Sequence, residues 1–125
     1  MAELKYSVLM LIALSACTQA TTNTKITINN ALSNCIKIDE TKVVYSGEIP
    51  LLEISHQNIK KTSECGCKSA ISQYTSELVM DGYNSKLLTA KFSFGDGTSK
   101  IPLATSQKMI GNYGVLVSFN CSAPD

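Results

Sequence analysis

The sequence predicts an all-β domain, a small antiparallel β-sandwich of immunoglobulin-like type with about seven strands. Three observations predict it. Apolar and polar side chains alternate over short stretches, the period of a half-buried strand. Asn, Asp and Gly turn signals recur between those stretches at strand-like spacing. The chain divides into six to eight such strands, the element pattern of a sheet-on-sheet domain. A small barrel is the alternative closure of the same strands.

The elements follow in chain order. Ile26 and Ile28 alternate with Lys25, Thr27 and Asn29. Asn29-Asn30 and Ser33-Asn34 read as turns. Cys35 to Asp39 is a short strand with Ile36 and Ile38 on one face. Asp39-Glu40 reads as a turn, and Lys42 to Tyr45 as the next strand, broken by Ser46-Gly47. Leu51 to His56 resumes, with Leu52 and Ile54 opposed to Glu53 and Ser55. Pro50 marks a strand start or an edge. Gln57 to Glu64 is a polar loop that carries Lys60 and Lys61.

Lys68 to Met80 fits both periods. Ile71, Tyr74 and Leu78 fit a helical stripe, while Ala70, Ser72, Tyr74, Ser76, Leu78 and Met80 fit period two. Tyr74, Thr75 and Val79 favour a strand, and Asp81-Gly82 is a hairpin signal. The segment is read as a strand. Leu88, Ala90, Phe92 and Phe94 then make one face of a half-buried strand. Gly95-Asp96-Gly97 is a turn; no helix or Lys-Ser pair follows it to make a phosphate cradle. Lys100 to Ala104 contains Pro102 and suits an edge. After Gly111-Asn112, Tyr113, Val115, Val117, Phe119 and Cys121 alternate with Gly114, Leu116, Ser118 and Asn120.

Composition narrows function more than it names it. The 125 residues carry 11 Lys plus Arg against 10 Asp plus Glu, a formal charge of +1, and all the cations are Lys. A near-neutral chain without Arg is a poor nucleic-acid ligand, because phosphate neutralisation needs a basic surface. The hydrophobic content of 44% argues against wholesale disorder.

The N-terminus reads as an address. Lys5 precedes an apolar stretch from Tyr6 to Leu14, too short for a bilayer core that needs roughly 20 residues. Leu14-Ser15-Ala16-Cys17 resembles the lipobox of bacterial lipoproteins. That resemblance implies a signal peptide over residues 1–16, a diacylglycerol on the Cys17 thiol, cleavage before Cys17 and acylation of the new amino group. Two or three acyl chains would hold firmly, where one holds weakly. Thr18 in place of Asp implies, by the same resemblance, the outer membrane, with the domain facing the periplasm. Residues 17–24 form a lipid-anchor tether, of which the seven polar residues Thr18 to Thr24 reach at most about 25 Å, and residues 25–125 form the β-domain.

Removing Cys17 leaves Cys35, Cys65, Cys67 and Cys121. An even set in an oxidising compartment reads as two disulfides. A Cys65–Cys67 bridge would be strained. Each of the two is therefore expected to pair with Cys35 or Cys121, in an order the sequence leaves open. The competing chemistry is a thiol redox or soft-metal site at Cys65 and Cys67, with His56, Met80 or Met109 as further ligands. Redox sites of this kind use Cys-x-x-Cys on a βαβ frame, and the ligand spacing fits no metal motif. No metal and no cofactor are expected.

The lipobox, Cys35 after Asn34, Cys65-Gly66-Cys67-Lys68-Ser69-Ala70, Ile101-Pro102-Leu103-Ala104-Thr105 and the late Cys121 together resemble a family of small Gram-negative lipoproteins. That family is classed as a domain of unknown function with a central Cys-Gly-Cys segment. The resemblance implies secretion, lipidation and paired cysteines, and brings no activity with it.

Catalytic signals are thin. His56 is the single His, no Gly-x-Ser-x-Gly elbow occurs, and Asp39-Glu40 are neighbours at a turn. No catalytic residue and no small-molecule substrate are assigned. The expectation is a non-enzymatic envelope lipoprotein, tied to the membrane by lipid on Cys17. It would bind a protein partner through strand edges or the loops at 57–64 and 105–112. An inhibitor of a lysozyme-type enzyme is the alternative binding role.

Overall fold

A computed structural model describes residues 24–123. The expected signal peptide, the expected lipid carrier Cys17 and the expected tether up to Asn23 lie outside the described residues. Seven strands form two sheets: β1 (Ile26–Asn30), β2 (Ile36–Ser46), β3 (Ile49–Asn58), β4 (Ser72–Val79), β5 (Asn84–Phe92), β6 (Thr98–Pro102) and β7 (Gly114–Cys121). One sheet has the order β1-β7-β4-β5 and the other β2-β3-β6. Short 3-10 turns at Thr62–Cys65 and Gln107–Met109 are the helical segments among the described residues. The architecture is the expected small sandwich, and the sheets do not close into a barrel.

Period two decides the layers. On β4, Ser72, Tyr74, Ser76 and Leu78 are buried while their neighbours are not; Lys68 to Met80 is thus a strand over Ser72–Val79. Val115, Val117 and Phe119 of β7 face them inward. Leu52 and Ile54 of β3 and Ile101 of β6 supply the opposing layer. Phe92, Phe94 and Phe119 cluster with edge and tilted ring contacts at centroid distances of 4.6–5.8 Å, the geometry aromatic quadrupoles favour.

Several local expectations are corrected. Asp39-Glu40 is no turn: β2 runs unbroken through it, and a bulge absorbs Asp39 between the pairs Ile38–His56 and Glu40–Ser55. Such a bulge leaves one extra residue unpaired and bends the strand, and here the Asp39 carboxylate accepts from the Gln57 amide at 3.1 Å. Asn29 and Asn30 complete β1 rather than turning, and the Asn30 side chain builds the turn after it. Its Oδ1 accepts from the Leu32 N–H at 3.0 Å and its Nδ2 donates to the Ile36 carbonyl at 2.8 Å. Tyr113 precedes β7 and is 50% exposed instead of joining its core face. β1 pairs with β7 in parallel, against an antiparallel pattern in every other described pairing.

The topology gives the sandwich two unlike ends. At one, the segments 31–35, 59–71 and 93–97 cross between the sheets and β7 finishes. At the other lie the β2–β3 and β4–β5 hairpin turns, the segment 103–113 and Lys25, where the described chain enters β1. We call them the cystine end and the hairpin end.

Candidate functional site

The cysteines define the first end. Cys35 is bonded to Cys65 and Cys67 to Cys121, with Cα separations of 6.2 and 5.1 Å. The Cys-Gly-Cys segment therefore staples two places at once: the 31–35 crossing through Cys65 and the end of β7 through Cys67. Gly66 lets the chain change direction between them, with φ of 89° in the left-handed region that disfavours a Cβ. The N–H of Cys67 returns to the Thr62 carbonyl at 3.2 Å, closing the 3-10 turn. Leu32, Cys35, Ile36 and Cys67 form a small buried cluster around the bridges.

Cys35 also fixes the loop that follows β3. Its carbonyl accepts from the N–H groups of Ile59 and Lys60 at 2.7 and 3.2 Å. The Lys61 N–H donates to the Glu64 carboxylate at 3.2 Å. Between this loop, residues 67–72 and Phe94 opens a cleft of about 660 Å³. Ile36, Ile59 and Phe94 supply apolar lining; Thr62, Ser63, Ser69, Ser72 and Ser93 supply hydroxyls. Lys60, Lys61 and Lys68 line it against a single carboxylate, Glu64, which is turned back onto its own loop. These three lysines are exposed, and like charges gathered at one cleft favour an anionic or hydrogen-bond-accepting ligand surface. The cleft holds the expected loop at 57–64. The other expected loop, 105–112, lies at the hairpin end, far from it.

His56 is buried, 4% exposed, not the surface or half-buried residue its position at a strand end suggests. Its ring nitrogens meet Asn58 Oδ1 at 2.8 Å and Ser99 Oγ at 2.9 Å, and Phe94 meets the ring edge-on at 5.0 Å. The spacing is that of nucleophile, base and orienting amide. The surrounding donors, however, are spent on the turn itself. The Gly95 N–H donates to Ser99 Oγ at 2.9 Å, and Asn58 Nδ2 donates to the Gly95 carbonyl at 3.1 Å. With the His56 N–H on the Gly97 carbonyl at 3.0 Å, the group clips the 93–97 turn to β3. A Cβ on Gly95 would stand 2.9 Å from the Thr98 carbonyl oxygen, so the turn closes only on glycine. The signal for His56 was present: Leu52, Ile54 and His56 share one parity on β3.

The residues weighed for metal or redox chemistry are scattered. Cys65 and Cys67 are each bonded to a different partner, and Met80 and Met109 lie at the hairpin end. Among the described residues no group of three or more His, Cys, Asp or Glu side chains is placed to hold a metal. No described helix is long and apolar enough to cross a membrane.

A family model described as an uncharacterized protein conserved in bacteria (DUF2195) matches residues 10–124. Comparison with curated proteins and with solved structures found no match.

Proposed function

The chain belongs to this uncharacterised family conserved in bacteria, and from that premise we propose a non-enzymatic, lipid-anchored domain of the cell envelope that binds a protein partner. The lipid sits on Cys17, the domain faces the periplasm from the inner leaflet of the outer membrane, and the partner docks in the cleft at the cystine end. One observation carries the reading. The cleft lies at the end of the sandwich opposite Lys25, where the chain arrives from the lipobox. Ten residues of β3 at about 3.3 Å each separate the two ends by roughly 30 Å.

The placement separates two roles for Lys60 and Lys61. They stand away from the anchoring leaflet, which suits an acidic protein surface better than the lipid headgroups beneath the domain. Loops on a rigid scaffold are the usual place for recognition, and two disulfides hold this one. The non-enzymatic reading draws support from His56, whose ring nitrogens are both engaged in clipping a turn.

Photocrosslinking in intact cells tests the proposal. A photoreactive amino acid at Ile59 or Lys68 is expected to give a discrete adduct with an envelope protein. The same group at Thr89, on the outer face of β5, gives none. Charge reversal by Lys60→Glu and Lys61→Glu abolishes the Ile59 adduct. Adducts from Thr89 but not from the cleft would overturn the assignment.

A further inference from the structure

The hairpin end carries an unusual surface for the end of a β-sandwich. Eight large hydrophobic side chains are exposed among the described residues, and six of them are here: Tyr45, Ile49, Val79, Tyr83, Met109 and Tyr113. They come from separate segments. Tyr45 and Ile49 flank the β2–β3 turn, Val79 and Tyr83 the β4–β5 turn, and Met109 and Tyr113 lie between β6 and β7. Chain pairing brings these segments to one end: the Gln107 N–H donates to the Glu48 carbonyl at 2.9 Å, and Val79 pairs with Gly114. Exposed apolar groups gathered from three loops mark a contact surface rather than scattered surface residues.

We infer that this end rests on the lipid bilayer, its three tyrosines at the headgroup level. The inference rests on the lipid-anchor reading. The segment from Cys17 to Thr24 leads to Lys25, on this same end, and its eight residues reach at most about 29 Å. Acyl chains on Cys17 therefore hold these six side chains at the membrane surface and leave the cleft facing away. Tyrosine suits the position, since its ring is apolar and its hydroxyl is wet, as in the aromatic belts of membrane proteins. The charges nearby do not choose a partner of either sign: Glu48 and Asp81 at the hairpin tips stand against Lys25 and Lys108, all exposed. The contact is made by apolar and amphipathic side chains, and the bilayer is the occupant that the anchor brings to them.

The chain has no Trp, so one introduced Trp reports one place. The full lipidated protein is purified from bacteria and its N-terminal acylation checked by mass spectrometry. It is then reconstituted into vesicles of phosphatidylethanolamine and phosphatidylglycerol with acyl chains brominated in part. Tyr83→Trp and Tyr113→Trp are expected to be quenched by bromolipid at least about threefold more strongly than Ile59→Trp at the cystine end. A demonstrably lipidated protein in which neither hairpin-end Trp is quenched, or in which Ile59→Trp is quenched instead, overturns the docking inference alone. A photoreactive amino acid at Tyr83 that captures an envelope protein in intact cells, with the hairpin-end Trp unquenched in vesicles, assigns this end to a protein and likewise overturns it. A chain without acyl groups on Cys17 overturns the anchor and the inference together.

Discussion

Tyr74 lies on the inward face of β4 and keeps its polar tip satisfied. Its hydroxyl donates to the Pro102 carbonyl at 2.7 Å, and two residues on, the Ser76 hydroxyl donates to the Leu103 carbonyl. These bonds tie the end of β6 across the core to the opposite sheet. Burial pushes the Tyr74 phenol up from 10.0 to about 12. A raised folded-state value means its share of stability is complete below pH 10 and is lost as pH rises through 12. Tyr74→Phe is expected to cost about 1 kcal/mol at neutral pH, the usual net worth of a hydrogen bond. It should also blunt the alkaline loss, both read by urea unfolding across pH. Gly66→Ala should cost roughly 1–2 kcal/mol through its left-handed backbone, read the same way with both disulfides intact. Residue positions were legible where parity spoke. Ser72 and Ser76 fall on the Tyr74 face as the period requires, and His56 falls on the Leu52 face by the same rule. Their partners were not legible, because Leu103, Asn58 and Ser99 meet them only through the fold.

At the scale of elements, alternation located the strands and missed their joins. β2 is one strand because a bulge lets an acidic pair sit inside it, where composition alone suggests a turn. β1 is parallel to β7 because the first strand lies beside the last and both run from the hairpin end, a relation that no local pattern encodes. The cysteine pairing is likewise a property of the fold: Cys65 meets the 31–35 crossing and Cys67 the end of β7. Sequence separations of 30 and 54 predict that replacing either pair by Ala costs about 4 kcal/mol in the chain-entropy model. The Cys67–Cys121 pair should cost slightly more. Thermal unfolding of the two double variants against the parent measures both. The cross-strand row Lys42, Glu53 and Lys100, with ion-pair distances of 3.4 and 3.7 Å, is solvent-exposed at its lysines. Glu53→Gln should therefore cost less than about 1 kcal/mol.

For the whole molecule, the two ends give the domain a direction. The cystine end offers a rigid, lysine-lined cleft; the hairpin end offers tyrosines and receives the described chain at Lys25. Under the proposed function, a lipid on Cys17 turns that polarity into an orientation in the envelope, with the cleft presented to partners. The lipobox reading rests on a local pattern outside the described residues, while the cleft was not legible, because its walls come from residues far apart along the chain. The most direct measurement is intact mass spectrometry, with N-terminal peptide mapping, of the protein isolated from bacterial membranes. The account predicts a chain that begins at Cys17 and carries diacylglycerol and an amide-linked acyl group there. A mature chain that begins elsewhere, or an unmodified Cys17, would contradict it.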